Sequence, residues 1–194
     1  MQRPDFIEVF ARHRGDAPTI TGPGLVSREL FAMTGDDPTI LYNMEMPYAT
    51  PICLGLAMAR PKQRIVALEG DGSLISALGV LTTVARYRPP NLTIIVLDNE
   101  SFSTFGADMI SATATGVDLA AAARACGIET TISVTTLQAA EAAIPKVLHE
   151  AGPWVLVAKV DAQSEPDRRF TRGSPDVTEQ SLDFARMLRR SSGP

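Results

Sequence analysis

Two uninterrupted apolar runs constrain this chain more than anything else in it. Residues 64–68 (Arg-Ile-Val-Ala-Leu) and 92–97 (Leu-Thr-Ile-Ile-Val-Leu) lack the apolar-polar alternation of a half-exposed strand. Short continuous runs of this kind read as parallel strands buried on both faces. Each run ends in a turn that carries side-chain acceptors: Gly70-Asp71-Gly72-Ser73 after the first, Asp98-Asn99 after the second. If the two strands are neighbours, Asp71 and Asn99 emerge side by side at their carboxyl ends, where open α/β sheets bind ligands.

The other segments supply the helices such a sheet needs. Phe6, Ile7, Val9 and Phe10 form one apolar face of a first helix that Gly15 and Pro18 end. Residues 19–21 and 38–42 read as strands, and residues 25–31 and 48–60 as helices. The second of these helices has almost no polar residue, which places it in a core or a subunit interface. Between Ser73 and Arg88 the spacing of Leu74, Leu78, Leu81 and Ala85 predicts one continuous helix, stopped by Pro89-Pro90. Residues 100–116 have no clear period and read as a functional loop or lid. Helix, strand, helix and strand then follow at 117–126, 130–134, 137–149 and 154–160. This alternation predicts a doubly wound, mostly parallel α/β sheet with helices on both faces. It forms one domain over residues 1–161, followed by a polar tail at 162–194 that ends in a short helix from 181 to 190.

Composition excludes several functions. The 194 residues are 45% hydrophobic and 21% charged, with a formal charge of -4, which is no footprint for nucleic acid. Cys53 and Cys126 are the only cysteines and belong to no C-x-x-C, so a disulfide framework, a zinc site or an iron-sulfur cluster is not expected. The N-terminus lacks the apolar core of a signal peptide and no run reaches membrane-spanning length. The expectation is a cytoplasmic protein without nucleic-acid or membrane partners.

The chemistry of the organising stretch follows from a charge conflict. Gly70 and Gly72 let the backbone turn sharply after a strand, and Ser73 stands where the next helix begins, a natural place for a phosphate. Asp71 would repel that phosphate unless a cation lay between them. Mg²⁺ resolves the conflict, because it takes six oxygen ligands and commonly combines one or two carboxylates with substrate phosphates. Asp71, Asn99 and a loop carbonyl near Ser101 can supply three oxygens; two phosphate oxygens and a water complete the shell. No Gly-x-Gly-x-x-Gly follows the first strand and no Walker lysine is present, so dinucleotide and P-loop readings fall away.

Gly70-Asp71-Gly72-Ser73 through Asp98-Asn99 resembles the thiamine diphosphate-binding motif, which runs from Gly-Asp-Gly to a pair that is usually Asn-Asn. Residues 21–31 (Thr-Gly-Pro-Gly-Leu-Val-Ser-Arg-Glu-Leu-Phe), 117–120 and 123–127 are similar to the sulfopyruvate and phosphonopyruvate decarboxylases. The resemblance implies the diphosphate-binding (PP) domain fold and the small subunit of a split 2-oxo acid decarboxylase. It implies Asp71, the Asn99 side chain and the Ser101 carbonyl as Mg²⁺ ligands, with Gly70, Gly72 and Ser73 at the diphosphate. Gly24 and Ser27 would approach from the turn after the first strand, Met46 would prop the cofactor in its bent form, the Met44 carbonyl would meet the aminopyrimidine, and Phe102 would also bind the cofactor.

The resemblance also implies what the chain lacks. The glutamate that activates the cofactor belongs to a pyrimidine-binding (PYR) domain, and no segment here is similar to one. A large or alpha subunit is therefore the expected partner, two copies of each chain together. The substrate is a small 2-oxo acid; from Pro89 to Ala123 there is no Lys, Arg or His, while Phe102, Phe105, Met109 and Ile110 favour an apolar or aromatic one unless Arg168, Arg169, Arg172 or the partner supplies a cation. A carboligating thiamine enzyme and a non-catalytic Mg²⁺-diphosphate module are the alternatives. Asp98, Glu45, Pro47 and Glu100 depart from the family pattern, Asp98 from its first asparagine and Glu100 from a glycine, and Glu45 has no assigned role.

Overall fold

The computed structural model describes residues 1–102, 109–162 and 176–191. Six strands, β1 (Thr19–Thr21), β2 (Ile40–Leu41), β3 (Ile65–Gly70), β4 (Leu92–Asp98), β5 (Thr131–Val134) and β6 (Trp154–Lys159), form one sheet in the order β2-β1-β3-β4-β6-β5. Every pairing is parallel. The two apolar runs are adjacent, with Gly70 opposite Leu97. The doubly wound α/β expectation holds, and the strand order reverses between β1 and β3, the switch point beside which such sheets bind ligands.

The pleat sorts the core into two layers. Val66, Leu68, Ile95, Leu97, Trp154 and Leu156 face one side, where they meet helices α1 (Arg3–His13), α2 (Leu25–Thr34) and α7 (Leu137–His149). Ile65, Ala67, Ile94, Val96, Val155 and Val157 face the other, covered by α3 (Ala49–Ala59), α4 (Asp71–Ser76), α5 (Val80–Tyr87), α6 (Leu119–Ala125) and α8 (Val177–Arg190). Alternate residues of one strand serve opposite layers, which is why the central strands are apolar throughout.

Two local readings are corrected. The single helix expected from Ser73 to Arg88 is two helices, α4 and α5, separated at residues 77–79. Leu74 and Leu81 are both fully buried across that break, so the sheet accepts the apolar spacing from two short helices as readily as from one, and spacing alone could not reveal it. The closing helix begins at Val177, because the Asp176 carboxylate accepts from the N–H groups of Thr178 (2.9 Å) and Glu179 (3.1 Å). It buries Phe184 in the second layer. Among the described residues no helix is long and apolar enough to cross a membrane.

Candidate active site

The site forms where β1, β3 and β4 end. The residues that line the cleft include Met46, Gly70, Asp71, Gly72, Ser73, Asn99, Ser101 and Phe102, all singled out in the sequence. Gly24, Ser27 and Met44 do not line it. From the turn after β1 the lining residues are Pro23, Leu25 and Val26; Gly24, at a φ of 85°, starts α2, and Ser27 in its first turn is buried, its hydroxyl without a partner among the described residues. Met44 is tied by its N–H to the Thr21 carbonyl (2.9 Å) and packs against the second core layer. Asn43 connects the two turns: its N–H donates to the Thr21 hydroxyl (3.0 Å) and its side-chain oxygen accepts from the Gly24 N–H (3.3 Å). Glu45 is exposed.

Asp71 is the electrostatic centre. Its carboxyl is 1% exposed, yet it forms no ion pair among the described residues. Oδ2 accepts from the hydroxyls of Thr113 (2.7 Å) and Ser111, which also contact each other at 2.6 Å. Burial pushes this carboxyl above the ordinary aspartate range; the two hydroxyls oppose the shift and the charge of Asp98 adds to it. A buried carboxylate normally has a countercharge or a metal. Among the described residues no three His, Cys, Asp or Glu side chains are placed to hold a metal ion by themselves. One carboxylate, one amide and a carbonyl therefore suit a hard cation that brings its remaining oxygens with it, as Mg²⁺ on a diphosphate does.

Asn99 sits at the end of β4, buried, with its side-chain oxygen accepting from the Ser101 N–H at 3.3 Å. The following loop returns to the site: Ser101 bridges to Ile110, the Phe102 N–H donates to the Met109 carbonyl (2.8 Å), and the Ser111 N–H donates to the Glu100 carbonyl (3.0 Å). Phe105 and the three tail arginines lie outside the described residues.

Ser73 and Glu69 differ from a simple phosphate cradle. The Ser73 hydroxyl donates to Glu69 Oε2 at 2.5 Å, and Thr50 donates to Oε1, so a phosphate is left the backbone N–H groups of the first α4 turn. Burial raises the Glu69 carboxyl above the ordinary range, against the hydroxyls of Ser73 and Thr50. Glu69 also explains Gly22. A Cβ at position 22 would stand 3.0 Å from the Glu69 Cβ and 3.3 Å from its Cα, and the backbone atom of a central strand cannot step aside. Gly22→Ala is expected to cost about 1–3 kcal/mol, as overpacking does, read from the urea midpoint at unchanged slope.

Sequence reasoning missed Ser111, Thr113, Glu69, Lys159 and Arg3 at or around this site. Arg3 reaches the cleft from the start of α1, where its guanidinium forms a bidentate pair with Glu29 of α2, both bonds 2.8 Å. Nothing in a linear sequence links positions 3 and 29; only the Ser-Thr richness of residues 111–115 was a usable signal.

The chain is similar to several known proteins. The family model described as "Thiamine pyrophosphate enzyme, C-terminal TPP binding domain" matches residues 29–158. The sulfopyruvate decarboxylase subunit beta of Methanococcus maripaludis is 27% identical over 165 residues, covering 85% of this chain and 87% of that one. The phosphonopyruvate decarboxylase of Streptomyces viridochromogenes is 34% identical over 163 residues, 84% of this chain but 39% of its own length. Among solved structures, the thiamine diphosphate-dependent 4-hydroxybenzoylformate decarboxylase of Rhodococcus jostii superposes with a TM-score of 0.66 at 16% identity, over 85% of this chain and 33% of that one. The last likeness is one of fold.

Proposed function

The chain belongs to the thiamine pyrophosphate enzymes, and we propose that it is the small subunit of a thiamine diphosphate- and Mg²⁺-dependent decarboxylase of a 2-oxo acid. The observation that carries this reading is the buried Asp71 carboxylate at the end of β3, which forms no ion pair among the described residues and stands one strand away from the Asn99 amide. In this reading Asp71, the Asn99 side chain and the Ser101 carbonyl hold Mg²⁺, and the backbone at Gly72 and Ser73 receives the diphosphate. Met46 supports the cofactor from the side. When bound, thiamine diphosphate supplies the electron sink that a 2-oxo acid needs to release carbon dioxide. This chain's residues bind and orient it, with Leu25, Val26, Met46 and Phe102 as the apolar part of the cleft wall.

The other half comes from a second chain that carries the pyrimidine-binding domain and its activating glutamate. Two observations support this. The chain spans most of a beta subunit but 39% of a single-chain relative, whose remaining length must hold further structure. Helix α3, which begins just after Met46, presents exposed Tyr48, Ile52 and Met58 with no charged residue between positions 48 and 59. Exposed apolar side chains on an uncharged helix beside the site suit an interaction surface.

The chain alone is expected to be inactive. Co-expression with the pyrimidine-domain chain should create both Mg²⁺-dependent cofactor binding and carbon dioxide release; full activity of the isolated chain would refute the split-site reading. On the substrate side this chain offers Phe102 together with exposed Met109 and Ile110, and Arg3, the one cationic side chain lining the cleft among the described residues, is engaged by Glu29. An apolar or aromatic 2-oxo acid is the proposed substrate class. Comparing phenylpyruvate with sulfopyruvate checks it, and strong preference for sulfopyruvate would overturn that assignment.

A further inference from the structure

Both residues flanking Asn99 are acidic, and one lysine binds both. Lys159 Nζ lies 2.7 Å from Asp98 Oδ2 and 2.8 Å from Glu100 Oε1. The pairing is built into the sheet: Lys159 is the cross-strand partner of Asp98 in the β4–β6 ladder, and the Val160 N–H donates to the Asp98 carbonyl at 2.9 Å. Asp98 is 1% exposed, so its charge depends on that ammonium for compensation. Its other oxygen, Oδ1, accepts from the Glu100 N–H at 3.2 Å. Glu100 holds a φ of 59°, a left-handed conformation that a side chain of its kind rarely adopts. Its carbonyl accepts from the Ser111 N–H, and the Ser111 hydroxyl donates to Asp71. One continuous set of bonds therefore runs from Lys159 through both neighbours of Asn99 to Asp71.

We infer that Lys159 is a positioning residue, a clasp that holds the 98–100 corner so that the neutral Asn99 side chain, and not the Asp98 carboxylate, faces the cation beside Asp71. The inference rests on the proposed Mg²⁺-diphosphate site. Its physical content is that Asp98 stands one residue from the proposed ligand Asn99 and directly after Leu97, the cross-strand partner of Gly70, which precedes Asp71. Unpaired, it would be a second anion free to turn toward the metal. The ammonium fixes it away, and holding Glu100 in a strained conformation fixes the direction in which the chain leaves Asn99.

The test is a cycle of full-length variants, assembled with the partner chain, titrated calorimetrically with Mg²⁺ at saturating thiamine diphosphate. Outer-sphere supports of metal ligands are typically worth 10–100-fold in metal affinity. Lys159→Met is expected to raise the Mg²⁺ requirement about tenfold, and Lys159→Arg to keep it within about twofold, since either cation can serve the two carboxylates. In an Asp98→Asn, Glu100→Gly background neither the buried charge nor the strained residue remains, so adding Lys159→Met should change the requirement by less than about twofold. Melting temperatures without metal, taken on the same variants, identify any that fail to fold; the triple variant, which lacks the uncompensated charge, carries the comparison if Lys159→Met does not. An unchanged or lower Mg²⁺ requirement in Lys159→Met, or an equal loss in both backgrounds, would overturn the clasp. Failure of the wild-type complex to bind the cofactor with Mg²⁺ would instead refute the site reading, and the melting temperatures would still show whether Lys159 matters only when Asp98 and Glu100 are present.

Discussion

Asp71→Ala is expected to abolish Mg²⁺-dependent binding of thiamine diphosphate while leaving the protein folded. The loss should exceed about a hundredfold, because removing even an outer-sphere support of a metal ligand costs roughly 10–100-fold in affinity. What makes the prediction specific is its second half. The carboxyl is buried and forms no ion pair among the described residues, so their fold does not depend on it for one. Ser111 and Thr113, which lose their acceptor, already contact each other at 2.6 Å. Stability without metal should therefore change by no more than about 1 kcal/mol, the net scale of a hydrogen bond. Asp71→Asn keeps the shape and removes only the charge, so it should lose cofactor binding nearly as completely. Calorimetric titration of the assembled protein with thiamine diphosphate in Mg²⁺, beside thermal melts without metal, measures both halves. Retention of binding within tenfold in either variant would remove Asp71 from the metal site.

How much of this was legible in the sequence differs from residue to residue. The adjacency of Asp71 and Asn99 was readable because two buried apolar runs joined by one helical connection pair in parallel, and the turn after each run must then open on the same edge. The break between α4 and α5 was not, since one hydrophobic stripe is compatible with one helix or with two. Glu100 is the most instructive case. As a departure from a family glycine it had no explanation; the φ of 59° says why glycine suits the position, and Lys159 says what accompanies a glutamate there. That compensation joins residues 59 positions apart, through a strand order that local pattern does not determine. The same reason hid Ser111 and Thr113, whose hydroxyls meet Asp71 only because the loop folds back after Asn99. For Gly24 and Ser27 the turn itself was legible, whereas which side of the first α2 turn faces the cleft depends on how the helix packs, and there Leu25 and Val26 line it.

Arg3→Met is expected to be the most destabilising single change in the chain. Arg3 and Glu29 are 2% and 0% exposed, and their bidentate pair joins the first turn of α1 to α2 across the first core layer. Such pairs contribute little over a well-packed apolar substitute, but removing one partner leaves the other as an uncompensated buried charge, at a cost of about 3–5 kcal/mol. For a domain of this size that corresponds to a melting temperature lower by roughly 10 °C. The same reasoning makes the repair predictable: in Arg3→Met with Glu29→Leu neither charge remains, and most of the lost stability should return. The site is coupled to this pair, because α2 carries Leu25 and Val26 into the cleft wall and Arg3 itself lines it. If the guanidinium serves only to fix α2, the double variant should bind Mg²⁺ and thiamine diphosphate as the wild type does. A double variant that melts normally yet has lost the cofactor would show that Arg3 acts on the ligand directly, and the pair with Glu29 would then be what holds that cation ready at the cleft.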